Sequence, residues 1–461
     1  MDQVSTMSPD RVTDTGARGA AHVNGIKDLA LASGIWRERF LSEKGNLFAP
    51  RRIDITNACR KMQTGPHMRV LLVSSLLLFK ETRFGGAKRL YSFLQGLSRL
   101  CEVYTICMDA SDEKDAYYAC SDKPDRLLLL PDCGKRLPLA KKIFRAPVDM
   151  RPNINRYSKE INAFLGGLSF DAAMLAYPLA LGFVDTPLLR AIPKVVYLED
   201  DLVLEMLKNE AKTKFSGLMR YARLLRYYQT LLFYRSRLRH IGSWIAISVQ
   251  EKNVIQSYFP GANIKIVKHG IELGDFPMLP PCANERRIGF IGNYHHAPNA
   301  VAINYFLESI APYLFEKIDG LEIIVAGKNI PAPISGKTVQ NPNIIIMEDV
   351  SNLTDFYSAI HVFINPIISG RGLRTKLIEC AAYGRPIVST ELGAEGLEEL
   401  RILVADTKED FYKHISTLFE DKGCYISIVR ENRSLVERFY NNERTAFELF
   451  SSIQGHSPHS K

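Results

Sequence analysis

The stretch from Gly370 to Thr390 holds the chain's most concentrated chemistry. Gly370 and Gly372 flank Arg371, Arg374 and Lys376 follow at alternate positions, and Glu379 lies three residues beyond Lys376. Glycines let a backbone approach a bulky ligand and leave N–H groups free where a helix begins, and the dipole of that helix favours an anion there. Phosphate is the natural guest of such a loop. Arg374 and Lys376 add cationic donors in the first turn, while Glu379, on the same helical face as Lys376, can accept hydrogen bonds from a sugar diol. A departing diphosphate gathers negative charge, which fixed cations and helix-terminal N–H groups stabilise where water is excluded. A second candidate is the acidic run Glu199-Asp200-Asp201, of which Asp200 is taken as an acceptor-side residue.

The elements that must position these groups read as alternating strands and helices. Val70 to Val73 is a short apolar strand, followed by a loop through Gly85-Gly86 and a helical pattern in Leu90, Phe93, Leu94, Leu97 and Leu100, then a strand at Val103 to Cys107. A strand, helix, strand unit implies parallel pairing through a right-handed crossover. Apolar runs at Ala172 to Ala176, Lys194 to Leu198, Trp244 to Ile247 and Ile264 to Val267 extend that sheet. The Pro-rich run Phe276 to Pro281 sits where an interdomain linker would, and a second series begins at Arg287 to Ile291. It continues with a helix over Ala300 to Phe315 and strands at Leu321 to Ala326, Ile344 to Met347, Val362 to Ile364 and Pro386 to Ser389. The reading is two doubly wound α/β domains, with ligand binding beyond the carboxyl ends of their strands.

The run Gly370 to Glu379, followed by Gly384-Arg385-Pro386-Ile387-Val388-Ser389-Thr390, resembles the donor-site signature of the nucleotide-sugar glycosyltransferases of the GT-B fold, in particular the retaining family 4, or group 1. Ile288 to Tyr294 with Pro298-Asn299 resembles the loop that opens that family's second domain, and Gly85-Gly86-Ala87 its acceptor-side glycine loop. The resemblance spans Met68 to about Phe450 and is dense in the second domain. It implies two Rossmann-like domains facing a central cleft, a catalytic role for Arg374 and Lys376 at the donor diphosphate, and Glu379 on the ribose hydroxyls. It further implies donor contacts at Gly292, Asn293, Gly370 and Gly372, with the residues around Val350 facing the base and Gly85 and Gly86 on the acceptor side. No cofactor or metal is implied beyond the nucleotide sugar as co-substrate, and no Asp-x-Asp motif is present. Three positions depart from the family pattern. Arg371 stands where many members carry a second glutamate, His269-Gly270-Ile271-Glu272 replaces Asn-Gly-Val-Asp, and the usual Arg/Lys pair after the domain-opening strand is missing, leaving His295 or His296 nearby.

Boundaries follow as an N-terminal extension over 1–67, an acceptor domain over 68–278, a donor domain over 284–425, a helical segment over 426–450 that returns toward the first domain, and a tail over 451–461. Within the extension, Ile26 to Lys44 has the spacing of a basic amphipathic helix, and Met68 opens the first strand directly. With 46% hydrophobic and 24% charged residues in 461, the chain has the balance of a globular protein, and bulk disorder is excluded. Its longest apolar runs fall short of the roughly 20 residues that cross a bilayer, and the first 30 residues do not read as a secretory signal. The expected location is the cytoplasm, peripheral at the inner membrane face.

Lysine and arginine outnumber acids 59 to 50, which suits anionic partners. From Ala211 to His240 there is no acid, while eight Lys and Arg alternate with Phe and Tyr. Such a surface fits an anionic lipid or a lipid-linked acceptor, and no nucleic-acid module accompanies it. The eight cysteines are scattered without C-x-x-C spacing and read as reduced thiols. A nicotinamide-dependent oxidoreductase would need G-x-G-x-x-G after the first strand, where Ser74-Ser75-Leu76 stands instead. The expected activity is sugar transfer from a nucleoside diphosphate donor to a glycan or lipid-linked acceptor in surface polysaccharide or lipopolysaccharide assembly. The other readings are a non-catalytic binding protein of the same fold and a nucleotide-sugar epimerase.

Overall fold

Alternating apolar strands and amphipathic helices assemble into two separate parallel sheets. A computed structural model of the chain describes residues 68–79, 85–108, 114–122, 124–130, 154–193, 195–198, 203–213, 216–283, 286–336, 341–350, 352–370 and 372–454. The extension 1–67 with its candidate helix, Glu199, Asp200, Asp201, Lys214, Phe215, Arg371 and residues 455–461 lie outside the described residues.

The first sheet comprises β1 (Arg69–Ser74), β2 (Glu102–Met108), β3 (Leu127–Leu130), β4 (Ala172–Ala176), β5 (Val195–Leu198), β6 (Ser243–Ala246) and β7 (Ile264–Ile266), in the order β3-β2-β1-β4-β5-β6-β7. Val70 and Leu72 of β1 pack into one apolar cluster while Leu71 and Val73 pack into another, so the strand is buried on both faces. That is why it reads as a continuous apolar run. The helices that matter here are α1 (Gly85–Ser98), α2 (Val203–Thr213), α3 (Gly217–Leu238) and α4 (Val249–Tyr258). Gly85 and Gly86 are the first residues of α1 and not a loop. Close packing explains the correction: a Cβ on Gly86 would lie 2.2 Å from the Tyr177 hydroxyl oxygen.

The second sheet comprises β8 (Arg287–Asn293), β9 (Glu322–Lys328), β10 (Ile344–Glu348), β11 (Val362–Asn365), β12 (Ile387–Ser389) and β13 (Leu403–Val404), in the order β10-β9-β8-β11-β12-β13. All its pairings are parallel. The order reverses between β8 and β11, the switch point where such sheets open a crevice. The helix expected over Ala300 to Phe315 is α5 (Ala297–Tyr305), a π turn at Phe306–Ile310 and a further helix at Ala311–Lys317. Pro312 has no N–H for the helical ladder, so a break falls just before it. Then come α6 (Thr375–Ala382), α7 (Lys422–Phe439) and α8 (Asn442–Gln454).

The 426–450 stretch divides between the two cores. Tyr425, Ile428, Val429 and Val436 of α7 join the core around β8, whereas Leu449, Phe450 and Ile453 of α8 join that around β1. The return runs beside the outgoing chain, with Ile271 bridged to Asn441. At this crossing a Cβ on Gly270 would come within 2.1 Å of Thr445 Oγ1, and Ser92 of α1 donates to the Gly270 carbonyl at 2.8 Å. The Pro-rich linker is clamped to the second domain. The buried Arg385 donates to the Pro280 carbonyl at 2.7 Å, and Arg433 to that of Phe276 at 2.7 Å.

Candidate active site

The carboxyl end of β8 and the start of α6 converge on Lys376. Leu377, Ile378, Cys380, Ala381 and Ala382 bury one face of α6, which leaves Lys376 and Glu379 on another. The half-buried Lys376 donates from Nζ to the Ile291 carbonyl and to Asn299 Oδ1, each at 3.0 Å, and stands 4.3 Å from the centre of the Phe290 ring. Burial first, and then the Arg374 guanidinium, bring its pKa down to about 7, against the opposing pull of Glu379. An amine held this way is poised to take up a proton when an anion arrives. The Glu379 carboxylate makes no hydrogen bond or ion pair among the described residues.

Arg374 caps α6 by position, and its guanidinium turns back onto the glycine loop, donating to the carbonyls of Gly370 and Gly372. The loop needs its glycines. Gly370 and Gly372 have φ of +91° and +94°, and a Cβ on Gly370 would meet Pro298 at 2.7 Å. Pro298 opens α5, so the loop after β11 packs against the start of α5 beside the switch point.

The floor is the paired ends of β8 and β9. Gly327, at φ +127°, lies so close to β8 that a Cβ would fall 1.9 Å from the Gly292 carbonyl oxygen. Asn293 Oδ1 accepts from the His295 amide at 3.1 Å and from Asn329 Nδ2 at 3.0 Å, and Asn299 Nδ2 donates to the Asn293 carbonyl at 2.8 Å. Asn329 and Asp349 hold left-handed backbones at φ 58° and 50°, a conformation that short polar side chains tolerate. Val350 follows Asp349 beyond β10, partly buried against the second core. Behind the loop, Asn365 donates to Ser389 Oγ at 2.9 Å, tying the ends of β11 and β12 together.

The structure thus brings Arg374, Lys376, Gly292, Asn293, Gly370 and Gly372 to one crevice. Glu379 borders it through Lys376. Val350 sits at the end of β10, two strands from β8, and Gly85 and Gly86 belong to the first domain's α1. Asp200 lies outside the described residues. Of the two histidines, His296 is the one beside the cations: partial burial, then Lys376 and Arg374, lower its pKa. His269 is buried instead, and burial with Arg89 and Lys88 brings its pKa down to about 3. Residue spacing did not single out Asn299 or Phe290 as partners of Lys376; Asn299 was visible only as part of Pro298-Asn299. Among the described residues no three His, Cys, Asp or Glu side chains gather to hold a metal ion.

The carboxyl edges of the two sheets approach each other beside this crevice. Gln250 of α4 donates to Glu398, Lys268 pairs with Glu399, and a Cβ on Gly396 would lie 3.3 Å from Leu373 and 3.6 Å from Ser248. Two doubly wound domains meeting in this way define the GT-B architecture. Residues 285–421, which hold every group on the crevice, match the family model for group 1 glycosyl transferases, and the two-sheet fold is that of the GT-B proteins. Among solved structures, sucrose-phosphate synthase from Thermosynechococcus elongatus superposes with a TM-score of 0.60 at 14% identity, covering 84% of this chain and 99% of that one. Anabaena HepE in complex with UDP and glucose superposes with a TM-score of 0.58 at 11% identity, covering 84% and 100%. A curated relative, described as an uncharacterized 44.6 kDa protein in the cps region of Klebsiella pneumoniae, is 22% identical over 174 residues. That match spans 36% of this chain and 44% of the relative, less than half its length.

Among the described residues, no helix is long and apolar enough to cross a membrane.

Proposed function

We propose that the protein moves a sugar from a nucleoside diphosphate sugar to a glycan or lipid-linked acceptor, with retention and without a metal, in surface polysaccharide or lipopolysaccharide assembly. The observation that carries this reading is Lys376, held at the end of β8 with its pKa near 7 beside Arg374 and a glycine-walled crevice. A diphosphate entering there displaces the Ile291 carbonyl and Asn299 as partners of the ammonium and restores its full charge. As the glycosidic bond to the diphosphate breaks, the growing charge on the leaving oxygen is met by Lys376, Arg374 and the first-turn N–H groups of α6. Glu379 takes the ribose hydroxyls, and the turn at Val350 faces the base.

Support for the donor comes from HepE, solved with UDP and with UDP-glucose on the same fold. Support for the pathway class comes from the relative in a cps region. The basic, aromatic stretch 211–240 supports a lipid-linked acceptor at the inner membrane face of the cytoplasm. Gly85, Gly86 and Asp200 are proposed on the acceptor side. Arg371, in place of a glutamate, favours a second reading, a sugar-nucleotide-binding protein that performs no transfer.

The test is release of nucleoside diphosphate from a panel of UDP-, GDP-, ADP- and CDP-sugars, with and without glycan acceptors. Turnover of one donor that vanishes in Lys376→Ala supports transfer. Tight donor binding without turnover under any acceptor replaces transfer with the binding role.

A further inference from the structure

The helix α3 turns a long apolar stripe to solvent. Leu218, Tyr221, Leu225, Tyr228 and Leu232 follow one another at alternating steps of three and four, which places them on one face. Their exposures are 86%, 70%, 53%, 57% and 66%. The opposite face accounts for the helix's attachment. Phe233 and Tyr234 are buried in the first core, Arg223 pairs with Glu210 of α2 at 3.3 Å, and Arg237 pairs with Asp185 at 2.9 Å. The stripe is therefore surplus to folding.

The same spacing continues to Arg235 and Arg239, so the face is apolar for its first two thirds and cationic at its end. Arg220, Arg235 and Arg239 are exposed and make no ion pair among the described residues. At this end lies a cavity of about 270 Å³ at the amino ends of β5 and β6, the sheet edge opposite the donor crevice. Arg190, Arg239 and His240 line it together with the apolar Val184, Leu189 and Ile192.

We propose that α3 lies flat on an anionic phospholipid bilayer, its leucine and tyrosine stripe in the acyl boundary, with a lipid phosphate drawn to Arg190, Arg239 and His240. Charge decides between a bilayer and a second copy of the chain. Two parallel stripes would oppose Arg235 and Arg239 to their own counterparts, and no acid lies anywhere in 211–240 to relieve them in either direction. A bilayer surface offers hydrocarbon and anionic phosphate at one boundary, which matches a helix that carries apolar residues and arginines on one face. The docking deepens the membrane-face reading of 211–240 given above but needs no donor chemistry, so vesicle binding and nucleotide binding can fail separately.

Co-sedimentation of the full chain with phosphatidylcholine vesicles, and with vesicles that also contain phosphatidylglycerol, tests it. The expected result is binding at least about tenfold tighter to the anionic vesicles. Leu225→Ser with Leu232→Ser weakens binding to them by about tenfold or more, and Arg235→Glu with Arg239→Glu removes the preference. Unchanged thermal melting shows that both variants are folded. Equal affinity for the two vesicle types, or wild-type binding by the folded serine variant, overturns the proposal. So does a wild-type dimer that the serine pair dissociates, which would assign the stripe to a second copy.

Discussion

Lys376 and Arg374 at the end of β8, and Arg220, Arg235 and Arg239 along α3, carry the same charge in opposite settings. The first pair is half-buried, a few ångströms from backbone carbonyls and glycine walls, with the lysine pKa depressed to about 7. The α3 arginines are exposed and ordered only by the helix that carries them. A preformed, partly desolvated cation suits one small anion at fixed geometry, because its attraction is weakly screened. Solvated cations strung along an apolar stripe suit an extended surface, where each contributes little and position matters less. The two regions therefore predict different responses to substitution.

The largest effect is expected from Lys376→Ala, which under the proposed transfer removes a charge that meets the leaving diphosphate and lowers kcat about 100- to 1000-fold. A steady-state assay with the accepted donor measures it, and a loss under tenfold would put Lys376 on a par with the α3 arginines. Next is Gly327→Ala, which forces a Cβ against the Gly292 carbonyl at a left-handed backbone. It costs roughly 2–4 kcal/mol, and calorimetry should show a Tm lower by several degrees. Leu225→Ser on the exposed stripe should stay within about 0.5 kcal/mol of wild type in the same scan. The contrast between these two melts separates a built crevice from a free face.

Sequence made the crevice partly legible before any coordinates. Gly370, Gly372, Arg374, Lys376 and Glu379 lie within ten residues, so their joint purpose follows from local spacing and from resemblance. The acceptors that hold Lys376 could not be read so, since Ile291 and Asn299 lie 85 and 77 residues away and are joined to it only by the parallel pairing of β8 with β11. The basic and aromatic character of 211–240 was equally visible. Which tyrosines and leucines face out was not, because Tyr221 and Tyr234 are alike in sequence and only packing makes one exposed and the other buried. Likewise, helical periodicity continues on both sides of Asn441, while α7 and α8 serve different cores.

A further prediction concerns pH. A bound diphosphate raises the Lys376 pKa above its free value of about 7, so binding above that pH takes up a proton and affinity falls by up to about tenfold per pH unit. Titrations in buffers of different ionisation enthalpy detect the uptake, which should be absent in Lys376→Ala. Stability of the ligand-free protein runs the other way. Between about 7 and 10.5 the unfolded lysine keeps a proton that the folded one has lost, so this group makes stability rise with pH. The smallest donor-site effect is expected from Glu379→Gln, which keeps the shape but weakens a hydrogen bond to a diol. About a fivefold loss in donor affinity, with kcat little changed, would fit the ribose role.

The central claim is that the Lys376 crevice is a nucleoside diphosphate site, and isothermal calorimetry of UDP, GDP, ADP and CDP against wild type and Lys376→Ala tests it most directly. One of these nucleotides should bind the wild type, and the same nucleotide should bind the folded variant at least about tenfold more weakly. Equal binding to both proteins, or no binding of any of the four to the folded wild type, would contradict the account.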